Sequence, residues 1–315
     1  MRKEPVATVL DPARPLGRLR YDSRALLAAT TPTSQQDLRE HVAGREWYHT
    51  IELAPGVVTP GWFDTRKVVG RLPLPADLKG MRCLDIGTFD GFWAFEMERR
   101  GAEEVLAIDI LDPLRWDWPV NSEQEVIAQL ARRKRGGEGF EAAAEALRSS
   151  VRRRELSVYD LDPADVGSFD FVYLGSLLLH LRDPVRALER VASVCRGRLL
   201  VVDAVDIGLT VLHPRRPTAN LDGRKRPYWW KPNLAALERM VEVGGFRVLG
   251  SPRLFLMPPG AGHAHPRLTP KLLRSKAGRE IALSSRRGDP HAALLAEPTS
   301  DSSHAARNVG ASAWR

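Results

Sequence analysis

Cysteine is nearly absent. The 315 residues contain two, Cys83 and Cys195, each in or beside an apolar, strand-like stretch. Two thiols so placed read as buried and make neither a disulfide framework nor a metal site. No apolar run approaches the length of a membrane-spanning helix. The opening MRKEPVATVL starts basic but has no hydrophobic segment followed by a cleavage site, so a signal peptide is not expected and a cytoplasmic location is. What remains is an ordinary soluble composition, 43% hydrophobic and 27% charged. The net charge of +8 and the pI of about 9.8 are compatible with a polyanionic partner. The basic residues are mostly arginine interspersed with acids and alanine, so charge by itself selects no partner.

Rhythm divides the chain. Residues 1–24, rich in proline and arginine, read as extended or disordered. Residues 25–80 read as a helical and hairpin cover, with a helix over 34–44 capped by Ser34 and a hairpin in EWYHTIELAPGVVTPGWFD, 46–64. From Met81 strands and helices alternate through 298. The strands are expected at 81–86, 105–110, 156–161, 169–176, 198–205, 246–258 and 291–298, the sixth as one strand or a pair. A charged helical stretch fills 121–152, broken at Gly136-Gly137, and Asn233 reads as a helix N-cap. Residues 213–230 read as a basic loop, 259–290 as a basic insertion, and 299–315 as a disordered polar tail. Such alternation predicts an α/β doubly wound sheet with ligands at the carboxyl ends of the strands.

The first strand leads into LDIGTFDG, 84–91. Gly87 and Gly91 allow close backbone approach, but Phe89 stands between them and the spacing is not that of a pyrophosphate loop. No Lys-Ser/Thr follows, so it is not a P-loop. Asp85, inside the strand, disfavours a pyrophosphate and suits a ligand carrying an ammonium. Asp109 ends the next strand, where a carboxylate takes both ribose hydroxyls. An adenosine with an amino-acid tail therefore fits better than NAD. Thr88 and Asp90 would offer groups to that tail.

The stretch LDIGTFDGFWAFEMERRGAEEVLAIDI resembles motif I and the second strand of class I S-adenosylmethionine (SAM)-dependent methyltransferases. Asp85, Gly87, Phe89 and Gly91 match D-x-G-x-[GF]-x-G; Tyr159-Asp160 matches the adenine position, and LGSLLLHLRDP matches the segment after the fourth strand. The resemblance implies a Rossmann-like seven-stranded sheet, mostly parallel with an antiparallel last strand, and no metal. It implies a donor site built from Asp85, Gly87, Thr88, Phe89, Asp90, Gly91, Asp109, Ile110, Tyr159, Asp160, Gly175 and Ser176. Within the superfamily, WYHTIELAPGVVTPGW, LLLHLRDP and YWWKPNLAALERMVEVGGF are similar to the tRNA wobble-uridine carboxymethyltransferase-like group. Trp62 and Lys67 align with a Trp and a Lys near that group's donor site. Leu179 stands where the group has a tyrosine, and its basic Trp-Arg-Lys stretch has no equivalent here. These departures favour plain SAM over the carboxylated donor.

His180 and Asp203 fall on the rim of the fourth and fifth strands and are candidate bases, although a histidine among leucines also reads as a satisfied, half-buried side chain. His49, Tyr228 and Lys231 come from flanking segments that could line an acceptor pocket; Trp229 and Trp230 read more simply as packing aromatics. Methyl transfer to a small molecule is the leading expectation. The alternatives are tRNA modification, supported by Arg215, Arg216, Arg224, Lys225 and Arg226 and by the insertion, and a non-catalytic adenosyl-binding regulator. A dehydrogenase is the most distant.

Overall fold

A computed structural model describes residues 35–120, 122–221, 228–274 and 276–299. Ser34, the N-terminal segment before it, Arg224, Lys225, Arg226 and the tail lie outside the described residues.

The cover begins with helix α1 (Gln35–Ala43), which buries Leu38 and Val42. Four short strands follow: β1 (Trp47–His49), β2 (Glu52–Ala54), β3 (Val57–Val58) and β4 (Gly61–Phe63). The turn at Pro55-Gly56 joins β2 and β3 into an antiparallel hairpin, and β1 runs parallel to β4. The alternating region opens with β5 (Arg82–Ile86), α2 (Phe92–Arg99) and β6 (Glu104–Asp109). Next come α3 (Gln124–Lys134), α4 (Glu138–Leu147) and β7 (Arg152–Glu155), the two helices separated by a turn at Arg135–Gly137. Then follow α5 (Pro163–Val166), β8 (Phe169–Gly175), α6 (Pro184–Val194), β9 (Cys195–Ala204) and α7 (Ile207–Leu212). The chain continues through β10 (Ala219–Leu221), β11 (Trp230–Pro232), α8 (Leu234–Val243), β12 (Phe246–Met257), α9 (Pro270–Arg274), α10 (Lys276–Arg287) and β13 (Asp289–Pro298).

Seven strands form one sheet in the order β12-β13-β9-β8-β5-β6-β7. β13 is antiparallel to both neighbours; the other pairings are parallel. The period-two alternation of each strand divides its side chains between two layers. Cys83, Phe171, Tyr173, Leu200 and Val202 face α2, α4 and the cover, whereas Leu84, Ile86, Val172, Leu174, Leu199 and Val201 face α6 and α8. Both cysteines are buried and free. No helix among the described residues is long and apolar enough to cross a membrane.

The third strand is displaced from its expected place. It covers Arg152–Glu155, and 156–161 instead holds a 3-10 turn over Val158–Asp160. Val158 and Leu161, read as part of that strand, are buried from that turn, while the arginine-rich strand lies at the sheet edge, where charge is tolerated. The sixth strand is one element with an irregular register between Leu249 and Arg253, around Gly250 at φ +68° and Pro252. The basic insertion carries two helices, α9 and α10. Asn233 caps α8, accepting from Ala236 N at 2.9 Å.

Candidate functional site

The chain builds β5, β6 and β7 outward in one direction and returns to β8 on the other side of β5. That reversal opens a crevice between the carboxyl ends of β5 and β8. A cavity lies there, bounded by Ile86, Gly87 and Phe89 after β5 and by Gly175, Ser176 and Leu177 after β8. Ile108, Asp109 and Ile110 line it from β6, Ser157, Val158 and Tyr159 from the 3-10 turn, and His180 and Leu181 from the far end of the β8 segment. Tyr48 and His49 of the cover, Leu130 of α3 and the loop residues Arg115 to Trp118 complete the wall.

Gly87 (φ +75°) and Gly91 (φ +92°) take up left-handed backbone, and so does Phe89 at φ 53°, which is uncommon for a side chain of that size. Three contacts hold Phe89 there. Its N–H donates to Asp109 Oδ2 at 2.7 Å, its ring stacks on Tyr48 with centroids 4.6 Å apart, and the Lys134 ammonium sits 4.4 Å over its face. Gly91 starts α2, where a Cβ would come within 2.4 Å of the Phe95 ring. At Gly87 a Cβ would meet Leu177 from the opposite turn at 3.4 Å, so the missing side chain keeps the two turns close.

Asp109 joins the turn after β5 to α3. Besides Phe89 N it accepts from Ile110 N at 2.7 Å and makes an ion pair with the wholly buried Lys134. Burial lowers the Lys134 pKa, and the Asp109 carboxylate opposes that shift. Asp90 locks the cover onto the turn after β5: it accepts from Tyr48 N and His49 N, each at 2.8 Å, and its other oxygen pairs with His49 Nδ1. Asp85 accepts from Ala94 N at 3.1 Å, and burial pushes its carboxyl up to about 7. Its Oδ1 and the Thr88 Oγ1 are buried with no hydrogen-bond partner among the described residues. On the opposite turn, Asp203 Oδ2 accepts from Leu177 N at 3.1 Å and Leu178 N at 2.7 Å, and Oδ1 accepts from Ala204 N at 2.7 Å. Asp117 gathers the remaining wall: its carboxylate accepts from Tyr159 OH at 2.6 Å and Arg182 N at 3.0 Å, and its carbonyl from Trp229 Nε1 at 2.6 Å.

A family described as "Methyltransferase domain" matches residues 64–250, more than half of the chain. The chain belongs to that family. A tRNA U34 carboxymethyltransferase from Idiomarina loihiensis is 26% identical over 177 residues, 54% of this chain and 47% of that protein. One from Pseudomonas paraeruginosa is 28% identical over 174 residues, 54% of this chain and 46% of that protein. The chain thus matches about half the length of these curated relatives. An S-adenosylmethionine dependent methyltransferase from Mesorhizobium loti, known by crystal structure, is 15% identical with a TM-score of 0.39, covering 71% of this chain and 93% of that one.

The seven-stranded sheet with its antiparallel β13 is that of a class I SAM-dependent methyltransferase. The residues present fit an adenosyl donor. A carboxylate ends β6, aromatic and apolar walls flank it, and the buried, unpartnered oxygens of Asp85 and Thr88 lie in the loop that would meet the amino-acid tail. Of the residues singled out in the sequence, Gly87, Phe89, Asp109, Ile110, Tyr159, Gly175, Ser176, His49 and His180 come together on the cavity wall. Asp85, Thr88, Asp90 and Gly91 lie behind the wall and shape the loop. Asp160 is exposed and off the wall, and Asp203 is buried among backbone amides. Trp62 is turned away, against His263 and Arg133, and Lys67 pairs with Asp64 at 3.3 Å on the surface. Tyr228 stands behind His180, ring centroids 5.5 Å apart, and Lys231 lies in β11, also off the wall.

Sequence reading missed Lys134, Asp117, Tyr48 and His291. Lys134 closes a basic helix end that reads as solvated, so nothing local marks it. The aromatic loop around Asp117 follows directly on the second strand, and that position was the available signal. His291, read only as the start of the last strand, hydrogen-bonds Ser176.

Proposed function

We propose that the protein transfers a methyl group from plain SAM to a small-molecule acceptor held under the cover. In this reading Asp109 takes the ribose, the Tyr159 and Ser157 turn takes the adenine, and Asp85 with Thr88 stabilises the amino-acid tail. When bound, the donor supplies an already activated methyl carbon, so the chain's main task is to align acceptor, carbon and sulfur. His49, fixed by Asp90, and His180 stand where they can orient an acceptor.

The observation that carries the reading is the character of the wall. Tyr48, Phe89, Trp116, Trp118 and Tyr159 supply its aromatic surface. Among the described residues on it, Arg115 alone carries a permanent positive charge, and Arg115 is paired with Glu155 at 2.7 Å. A carboxylated donor calls for a cation free to meet its extra carboxylate, and Lys67 is turned outward. The test is to identify by native mass spectrometry the nucleoside that co-purifies with the protein. SAM or S-adenosylhomocysteine is expected; a carboxylated donor would overturn this choice.

A second reading, tRNA modification, is favoured by the two curated relatives and by the exposed Arg267, Lys271, Arg274, Arg279, Arg286 and Arg287 of the insertion. Labelled methyl groups from SAM should enter the small-molecule fraction of a cell extract. Label in tRNA, with binding that weakens steeply as salt rises, would select the second reading.

A further inference from the structure

Ser176 is the residue through which the cavity reaches a buried base. Its Oγ lies 2.9 Å from His291 Nε2, and His291 Nδ1 lies 2.9 Å from the Asp289 backbone carbonyl. A carbonyl oxygen can only accept, so Nδ1 carries the hydrogen. In the neutral ring the lone pair is then on Nε2, and the Ser176 hydroxyl donates to it. The imidazole is 4% exposed and flanked by the rings of Phe63 and Phe255, with centroids 6.5 and 5.8 Å away. The charged groups that act on it are Asp289 on its own strand and Lys231 on β11; Asp203, on the neighbouring strand, is committed to backbone amides. Burial lowers the pKa of His291, so the ring is neutral and able to accept at neutral pH.

We propose that Ser176 and His291 form a proton relay that serves an acceptor whose attacking oxygen or nitrogen still carries a proton. This rests on the methyl-donor reading above. The acceptor heteroatom gives up its proton to Ser176 Oγ while the Ser176 hydroxyl proton passes to His291 Nε2. The electron pair of the broken X–H bond forms the new bond to the methyl carbon, and the pair of the broken carbon–sulfur bond stays on sulfur. The relay ends as a neutral serine and an imidazolium whose Nδ1–H still donates to the Asp289 carbonyl. Ser176 is the group that touches the acceptor, and His291 acts through it.

The experiment is imidazole nitrogen NMR on the full-length, histidine-labelled protein. We expect one ring with hydrogen on Nδ1 and an accepting Nε2, lost in His291→Gln and with Nε2 shifted in Ser176→Ala. A hydrogen on Nε2, or a charged ring at neutral pH, overturns the relay. The second arm measures labelled methyl transfer into the small-molecule fraction of cell extract. Either variant should lower kcat by about 100-fold, the lower end of general base effects, and His291→Gln, behind the cavity wall, should leave S-adenosylhomocysteine affinity within about threefold of wild type. The wild-type rate should climb with pH as His291 loses its proton, and that limb should vanish in both variants. Transfer at the wild-type rate by both variants overturns the proposal. Absence of S-adenosylhomocysteine binding to the wild type would instead remove the donor reading, and the ring tautomer would still decide the pair on its own.

Discussion

The turn after β5 and the turn after β8 face each other across the crevice, and in both a carboxylate from a neighbouring strand end accepts backbone N–H groups. Asp109 takes those of Phe89 and Ile110; Asp203 takes those of Leu177, Leu178 and Ala204. The two acids differ in what else they meet. Asp109 lines the cavity and pairs with a buried ammonium, whereas Asp203 is sealed behind its turn, 1% exposed. An acid at the end of a parallel strand is therefore not a ligand group by position alone: two identical residue types on one rim divide into one open to the cavity and one that braces its turn.

Removing each acid tests that division, and Asp109→Ala should have the larger effect. It takes away the proposed ribose acceptor and leaves Lys134 buried without its partner. A buried charge left unpaired costs about 3–5 kcal/mol. We expect S-adenosylhomocysteine affinity to fall more than about 100-fold, the cost of losing a charge-assisted pair of hydrogen bonds, together with a clear loss of denaturant stability. Lys134→Met on top of Asp109→Ala should recover much of the stability and none of the affinity. Recovered affinity would show that the ribose site is elsewhere.

Asp203→Ala should act mainly on stability. It strands three backbone N–H groups, at about 1–3 kcal/mol for each unsatisfied donor before relaxation and water entry. Affinity should fall less than about tenfold, since the residue braces rather than touches; the ratio follows from a coupling of about 1 kcal/mol. The loss should also depend on pH. Burial raises the Asp203 carboxyl from its ordinary value near 3.8 to about 7 in the folded protein. The folded state thus binds more protons than the unfolded one between these values. The resulting stability is complete below the lower value and lost as pH rises through the upper. The gap between wild type and Asp203→Ala should therefore be wider at pH 4 than at pH 8. A gap that widens with pH would mean that the amides hold the carboxyl charged.

The same contrast explains what could be read from the sequence. The sheet was legible because buried strands advertise themselves as apolar runs: MRCLDI, VLAIDI and RLLVVDAV need no context. The turn after β5 was legible because glycines at 87 and 91 flank it between such a run and a helix. Contacts that join distant segments were not. Lys134 meets Asp109 from 25 positions away, and His291 meets Ser176 from 115. No local period encodes either meeting. The edge strand Arg152–Glu155 was hidden for a different reason. Its side chains are charged because only one neighbour pairs with it, and the apolar signal next to it belongs to a turn.

Phe89→Gly probes the comparison with the smallest expected effect. Glycine occupies left-handed backbone freely, so the change relieves strain of about 1–2 kcal/mol. It also removes the Tyr48 stack, worth about 0.5–1.5 kcal/mol, and the Lys134 contact over the ring, worth about 0.5–2 kcal/mol. These contributions oppose one another, so the melting temperature should move by only a few degrees, on the order of 1 kcal/mol for a chain of this size. Binding should respond more. The N–H to Asp109 survives the substitution, but the cover loses its stacking partner on the turn after β5, while the amides and imidazole that Asp90 holds and the stack of His49 on Phe92 remain. S-adenosylhomocysteine should dissociate several-fold faster while the fold stays intact. If the melting temperature instead falls further than in Asp203→Ala, the phenylalanine is holding the cover in place. The turn after β5 would then depend on its side-chain contacts as heavily as the turn after β8 depends on its buried acid.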